Sequence, residues 1–194
     1  MGLWQQSRRD VLNYSRFIVP VAVAALLVTV VGVGWFTQSD RFARGYQPAQ
    51  PIPYSHQLHA GVLRIPCAYC HSGVLASRQA RIPPVATCMN CHTVTRTGTP
   101  AIQQLTALYR AGAPLKWRRI HGLPDHVYFD HRPHVSAGIL CQTCHGEVQT
   151  MEVVYQNMSL RMANCLGCHR DPSDALPAGS TIRRGSEHCN ACHR

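Results

Sequence analysis

Acidic residues and lysine are scarce in this 194-residue chain, which has nine Asp and Glu against 19 Lys and Arg. Only one of the basic residues is a lysine, and the formal net charge is +10. A balance of this kind often indicates nucleic-acid binding. The alternative is an anionic group held inside the protein, because the planar guanidinium of arginine bonds carboxylates through two N–H groups. The cysteines decide between the two interpretations.

No cysteine stands alone: the ten cysteines form five C-x-x-C pairs, and a histidine follows each pair directly. The pairs are Cys67 with Cys70, Cys88 with Cys91, Cys141 with Cys144, Cys165 with Cys168, and Cys189 with Cys192; the histidines are His71, His92, His145, His169 and His193. Zinc sites and disulfides also use paired cysteines, but neither requires that histidine. C-x-x-C-H is the attachment sequence of c-type haem. The pattern therefore predicts five haem c groups, each bound by thioethers to both cysteines of a pair, with the histidine as the proximal iron ligand.

Five haems leave little polypeptide for each one. Residues 37–194 supply about 32 residues per haem, too few to wrap every group in a domain of its own. The haems must then form much of the interior. We expect a mostly irregular, small-α fold, in which a multihaem cytochrome c head has short helices and long loops. Haem propionates also account for the arginines, so we expect no nucleic-acid partner.

Residues 17–36 contain no charged side chain. Twenty residues of helix span roughly 30 Å, the thickness of the hydrocarbon core of a bilayer. A cleaved signal peptide is the alternative, but its apolar core is usually only about 7–15 residues long. We expect an uncleaved, single transmembrane helix in the bacterial cytoplasmic membrane, with Pro20 in its first turn, where proline costs least. Residues 1–16 are then cytoplasmic and the haem head is periplasmic, because haem c is attached on the outer side of that membrane.

The rest of the chain repeats one arrangement, in which an H-x-x-H pair precedes a group of attachment sequences. The pairs are His56/His59 and His131/His134, and each pair begins ten or eleven residues before the next cysteine. The predicted divisions are a proline-rich linker over 37–53, a haem module I–II over 54–98, an inter-module segment over 99–128 and a haem module III–V over 129–194.

Two helices are expected outside the attachment sequences. Thr99 suits the N-cap of the first and Pro100 its first position, and Gly112 can end it. Its apolar residues fall on one face and are Ile102, Leu105, Leu108 and Tyr109. A second helix is expected over residues 151–164, leading into Cys165.

Each iron needs a second ligand if both of its axial positions are to be filled, and seven histidines remain for that role. The assigned distal ligands are His56, His59, His121, His131 and His134. The two side chains of an H-x-x-H pair point in different directions and can serve two haems. His188 and His126 are weaker candidates. Met151 is the alternative, because a thioether ligand raises the potential of a haem relative to two imidazoles.

Four segments of the chain resemble a known family: PIPYSHQLHAG, IPPVATCMNCHT, LPDHVYFDHRPHV and GEVQTMEVVY, together with the CHR endings of the last two attachment sequences. These strings are similar to the pentahaem cytochrome c subunit of alternative complex III, over roughly residues 50–194. The resemblance implies an iron–sulfur subunit like the molybdopterin oxidoreductases, integral quinol-binding membrane subunits and a monohaem cytochrome c as partners. It also implies oxidation of quinol and transfer of the electrons to a periplasmic acceptor. His126 stands where the family leads us to expect an aromatic residue.

An electron-transfer subunit with no catalytic residue of its own is the function these patterns favour. Two alternatives remain open. A membrane-anchored quinol dehydrogenase of the NapC type also combines one span with several haems, but it needs a quinone site beside the anchor. A multihaem reductase needs one haem with an open distal face, and seven spare histidines argue against one.

Overall fold

The computed structural model describes residues 3–37 and 43–194, and side chains from Tyr14 onward outside that gap. Residues 38–42 of the predicted linker and the side chains at 1–13 of the predicted cytoplasmic end lie outside the described part. The chain divides into two compact units, Met1–Arg41 and Phe42–Arg194. The module boundaries expected within the second unit stay predictions.

The first unit is one helix, α1, over Leu3–Phe36. Its stretch Tyr14–Phe36 has a mean hydropathy of 2.6 and is long and apolar enough to cross a bilayer as an anchor or to act as a signal. The Thr29 hydroxyl donates to the Ala25 carbonyl at 2.8 Å, which satisfies the hydroxyl within the helix. The helix begins before residue 17, so the expected place of Pro20 in a first turn is wrong, and Pro20 lies in the helix interior.

The second unit consists of short helices joined by irregular chain, as the sequence predicts. Its α-helices are α2 Cys67–Cys70, α3 Val85–His92, α4 Pro100–Arg110, α5 His131–Ser136, α6 Cys141–His145, α7 Met162–Arg170 and α8 Cys189–Cys192. A π-helical turn covers Gln57–Val62, and 3₁₀ turns cover Ser72–Val74, Val148–Thr150 and Ser173–Ala175. Between residues 43 and 194, the only β pairing is an isolated antiparallel bridge of Val127 with His193.

The apolar core of the second unit is small and lies where α3 packs on α4. Its buried residues are Ile52, Val85, Met89, Ile102 and Leu105. Helix α4 begins and ends as predicted: Thr99 is the N-cap, and Gly112 follows with a φ of +62°, which favours glycine. Leu108 is half-buried beside the core, but Tyr109 is 50 % exposed and does not join the apolar face.

The expected helix over residues 151–164 is wrong, because the chain becomes helical only at Met162. Backbone carbonyls upstream of that point accept hydrogen bonds from another segment. Gln57 N–H donates to the Met151 carbonyl and Gly45 N–H to the Gln156 carbonyl, both at 2.9 Å. These bonds replace the i to i−4 bonds that a helix requires.

The core at α3 and α4 predicts where the head is most sensitive to truncation. Leu105 is 3 % exposed, and we expect Leu105→Ala to lower the free energy of unfolding by about 2–5 kcal/mol, because it leaves a cavity. Thermal unfolding of the detergent-solubilised holoprotein, followed by far-UV circular dichroism, measures this as a lower Tm. Tyr109→Ala on the same helix is the matched control and should leave Tm nearly unchanged. Equal losses in the two variants would contradict this placement of the core.

Candidate haem-binding centres

All five attachment sequences lie on short helices. Within each pair, the two cysteines are three residues apart and so face the same side of one helical turn. The histidine follows at the end of that turn. None of the ten cysteines forms a disulfide, and all of their side chains are exposed or half-buried. The thiols are therefore positioned to form thioether bonds to a porphyrin edge.

One cysteine pair differs from the other four in which of its two cysteines is exposed. In the first, third, fourth and fifth pairs, the first cysteine is exposed and the second is half-buried. In the second pair Cys88 is half-buried and Cys91 is exposed. Helix α3 causes this difference, because it begins at Val85 and packs Cys88 against the apolar core. The exposed cysteines are Cys67, Cys91, Cys141, Cys165 and Cys189, and the half-buried ones are Cys70, Cys88, Cys144, Cys168 and Cys192.

The third and fourth pairs are neighbours in space. Burial raises the pKa of the Cys144 thiol, and Cys168 and Cys165 raise it further through their charges. Cys168 lies on α7 between Met162 and Arg170, directly before its histidine. The thioether bonds themselves stay a prediction for every pair, including those at Cys91 and Cys168.

The proximal histidines are oriented by hydrogen bonds at Nδ1. The acceptors are backbone carbonyls, namely Arg81 for His71 at 2.8 Å, Thr95 for His92 at 3.0 Å, Ser186 for His169, and His126 for His193 at 3.3 Å. Because a carbonyl only accepts, Nδ1 must carry the proton in each case. The unprotonated Nε2 is then free to bind iron. Metal-bound imidazoles in proteins commonly donate their other ring N–H to a carbonyl in this way, which fixes the orientation of the ring.

Three of the predicted distal histidines have the same kind of bond. Nδ1–H of His59 donates to the Ser55 carbonyl at 2.8 Å, and that of His134 to the Asp130 carbonyl at 2.7 Å. His131 donates to the Arg78 carbonyl at 3.0 Å. These imidazoles also present Nε2 outward in its metal-binding form.

Four proximal imidazoles face a second imidazole at a similar spacing. The ring centres are 6.2 Å apart for His59 and His92, 6.3 Å for His131 and His145, 6.0 Å for His134 and His169, and 5.7 Å for His126 and His193. Two imidazoles that bind one metal ion from opposite sides have ring centres about 6 Å apart, because each metal–nitrogen bond is about 2 Å long. The residues present therefore fit a haem iron with two imidazole ligands.

The remaining proximal histidine is His71, of the first attachment sequence, and it has His56 beside it. Burial, together with smaller contributions from the His71 and His59 imidazoles, lowers the pKa of His56 to about 4. His56 is therefore neutral at physiological pH, which is the state in which imidazole binds a metal.

His121, a predicted distal ligand, contacts the Nδ1 side of a proximal histidine. Its ring stands edge-on to His145 with centres 4.6 Å apart, and its Nε2 lies 3.4 Å from Nδ1 of His145. Burial lowers the pKa of His121, and His131 lowers it further. Burial and the imidazoles of His121, His131 and His71 bring the pKa of His145 to about 4. His121 as an iron ligand stays a prediction, and the geometry favours a role in orienting His145.

His126 is the weaker candidate that the structure places beside a proximal histidine, His193. It is 67 positions from His193, and no sequence spacing connects the two. The bridge of Val127 with His193, and the bond from Tyr128 N–H to the Cys192 carbonyl at 2.7 Å, bring them together. The only sequence feature that pointed to His126 was the excess of histidines over the number of predicted irons.

The two H-x-x-H segments have the same local geometry. Tyr54 and Phe129 each stand two residues before the first histidine of the pair. Tyr54 is edge-on to His56 at 4.8 Å and stacked on His59 at 4.5 Å. Phe129 is edge-on to His131 at 4.8 Å and tilted over His134 at 4.5 Å. The repeat seen in the sequence is thus a repeat in structure, with one aromatic ring holding two imidazoles.

The remaining ligand candidates are Met151 and His188. Met151 is buried at 7 % exposure, and its place as a distal ligand stays a prediction. His188 is exposed and forms the N-cap of α8. Among the residues that the structure describes, no group of three or more His, Cys, Asp or Glu side chains is arranged to hold a metal ion by itself.

The comparisons with known proteins agree with this chemistry. Residues 127–194, which carry three of the attachment sequences, match the family described as cytochrome c7 and related cytochrome c. The chain is also 25 % identical over 189 residues to the multiheme cytochrome c subunit of a menaquinone reductase from Nitratidesulfovibrio vulgaris, covering 87 % of each chain. Together these findings support a multihaem c-type cytochrome with covalently bound haem c, a class of protein whose general function is electron transfer.

A glycine beside the fourth attachment sequence gives a test of ligand packing. A Cβ at Gly185 would lie 2.6 Å from Cγ of His169, so we expect Gly185→Ala to displace that imidazole. One haem should then leave the low-spin state while staying attached, which electron paramagnetic resonance (EPR) and intact mass measure together. Gly98→Ala, outside the attachment sequences and with no atom within 4 Å of a Cβ, is the control and should leave the spectrum unchanged. An unaltered spectrum for Gly185→Ala would contradict the packing described here.

Proposed function

We propose that the chain is a membrane-anchored pentahaem cytochrome c, and that it serves as the electron-transfer subunit of a quinol-oxidising complex of the alternative complex III kind. One observation carries the proposal: each of the five C-x-x-C-H histidines has a second histidine beside it that is suited to bind the same iron. Five filled pairs of axial positions are the arrangement of an electron carrier.

The five centres use the cysteine pairs and proximal histidines of the attachment sequences. The proposed distal ligands are His56 for the first haem, His59 for the second, His131 for the third, His134 for the fourth and His126 for the fifth. Haem c supplies one-electron chemistry at its iron. The protein positions the imidazoles through the Nδ1–H bonds to backbone carbonyls. Two imidazoles at each iron would leave a substrate no open position there, which argues against a multihaem reductase.

The anchor and the partners extend the proposal beyond the head. The apolar stretch Tyr14–Phe36 is suited to hold the protein in the cytoplasmic membrane. We infer that the head lies on the periplasmic side. It would receive electrons from integral quinol-binding subunits and an iron–sulfur subunit like the molybdopterin oxidoreductases, and pass them to a monohaem cytochrome c and a periplasmic acceptor. These partners rest on the sequence resemblance.

A second candidate function follows from the relative in Nitratidesulfovibrio vulgaris, whose name assigns it to a menaquinone reductase. A complex of that kind passes electrons to the quinone instead of taking them from quinol. The same head suits both directions, because haems with two imidazole ligands exchange electrons either way. The direction is set by the partners and by the potentials. A quinol dehydrogenase of the NapC type differs from both in needing no further subunit.

The ligand set predicts a specific pattern of spin states. Intact mass should show five added haems, and EPR should show all of them low-spin. His126→Ala should convert one haem to the high-spin state, because the fifth iron loses its distal imidazole. His121→Ala should leave all five haems low-spin. His188→Ala is the exposed control and should also change nothing. Fewer than five haems, or a high-spin haem in the native protein, would overturn the proposal.

The partners can be tested by purification in mild detergent from native membranes. We expect integral membrane subunits and an iron–sulfur subunit to co-purify, and the complex to reduce its haems when quinol is added. A complex that instead oxidises pre-reduced haems with added menaquinone would support the second candidate. Haem reduction by quinol with the isolated chain alone would support the NapC interpretation.

A further inference from the structure

A short loop connects two attachment centres that are not consecutive in the chain. Nδ1–H of His71, the proximal histidine of the first centre, donates to the carbonyl of Arg81 at 2.8 Å. The carbonyl of Arg78 accepts from both the backbone N–H of His131, at 3.1 Å, and its Nδ1–H, at 3.0 Å. The four residues Arg78–Arg81, hereafter the 78–81 loop, therefore orient one imidazole of the first centre and one of the third.

Further contacts fix the 78–81 loop to the strip of chain before His131. Nε of Arg78 donates to the Phe129 carbonyl at 2.9 Å, and its guanidinium lies 4.2 Å from the centre of the Tyr128 ring. On the other side, Gly73 N–H donates to the Ala80 carbonyl at 3.1 Å. A Cβ at Gly73 would lie 2.3 Å from the Gln79 carbonyl oxygen, so this close approach requires glycine. The loop is thus tied to both centres.

The attachment sequences of the first and third centres also meet directly. The side chains of Cys67 and Cys141 lie within hydrogen-bonding reach of each other. The two attachment sequences are therefore neighbours in space.

The other centres follow one another by similar contacts. The first and second are joined by Tyr54, which contacts His56 and His59, and by the bond from Asn90 Nδ2 to the Tyr69 hydroxyl at 3.0 Å. Phe129 contacts the distal imidazoles of the third and fourth centres, as described above. The segment before the fifth attachment sequence lies against the fourth, since Gly185 N–H donates to the His169 carbonyl at 2.7 Å.

We propose that the attachment centres lie in the order second, first, third, fourth, fifth, and that the 78–81 loop is the junction between the two haem modules. The proposal rests on the proposed function for the presence of five haems. The second centre is then one end of the row, and it belongs to the first module. Electrons that enter or leave there pass the first centre before they reach the third.

Redox coupling between haems tests the order. An electron placed on one haem disfavours reduction of its neighbours, because like charges repel and the repulsion weakens with distance. His56→Met in the full-length, detergent-solubilised holoprotein should raise the potential of the first haem, so that it is reduced before the others. His59→Met is the matched variant for the second haem. The thioether–iron charge-transfer absorption shows that each substitution changed the intended ligand set, and His131→Met identifies the EPR signal of the third haem.

The expected result is a distinct pattern in redox titrations followed by EPR. Reduction of the first haem in His56→Met should lower the midpoint potentials of the second and third haems. Reduction of the second haem in His59→Met should lower the midpoint of the first and leave the third nearly unchanged. A third haem that responds to the second haem and not to the first would overturn the inference and restore chain order.

A second measurement tests the order if one of these variants does not retain its haems. Nuclear magnetic resonance of the native holoprotein at intermediate stages of reduction gives the same pairwise couplings without a substitution. Strong coupling between the first and third haems supports the order, and its absence overturns it. A protein with five low-spin haems but without that coupling refutes the order alone. Fewer haems in the intact mass would refute the proposed function instead.

Discussion

The hydrogen bond from an imidazole Nδ1–H to a backbone carbonyl is the interaction on which the head depends. It recurs at four histidines of the attachment sequences and at three of the predicted distal ligands. Each bond fixes the tautomer and the plane of a ring, and therefore the direction in which Nε2 points. A polypeptide with so little regular structure has few other means of holding a ring. The irregular loops supply these carbonyls, because helices use theirs in their own backbone bonds.

The same constraint explains why the apolar core is small. Five buried side chains at α3 and α4 form one cluster, and the attachment helices at α6, α7 and α8 contain no buried residue. On the proposed ligand set, covalent attachment and iron–imidazole bonds between distant segments would stabilise such a head. His59 and His92 are 33 positions apart and His126 and His193 are 67 apart. Each such pair would act as a cross-link between loops, comparable to the disulfides of small secreted domains.

Local patterns predicted the local features well. The short helices of the head and the bounds of helix α4 depend on residues close together in sequence, where spacing and capping decide the outcome. The reversed exposure of Cys88 and Cys91 escaped this reasoning, because it follows from packing of α3 on the core. The expected helix over residues 151–164 failed because its carbonyls bond a distant segment, which no periodicity reveals. The ranking of His121 above His126 rested on sequence context and could not take account of the Val127–His193 bridge.

The repeated module explains how the order of centres departs from chain order. In both copies, one aromatic ring contacts a first imidazole edge-on and a second one over its face, and the residue after the aromatic supplies the carbonyl for the second histidine. That geometry makes the two centres served by each H-x-x-H pair neighbours. The same geometry does not determine whether the first or the second centre of the first module adjoins the second module. The 78–81 loop follows the first attachment sequence, and its Arg78 carbonyl accepts both N–H groups of His131, so the first centre becomes the inner one. The connection between modules is therefore decided by a loop carbonyl, and the sequence order of the cysteine pairs has no influence on it.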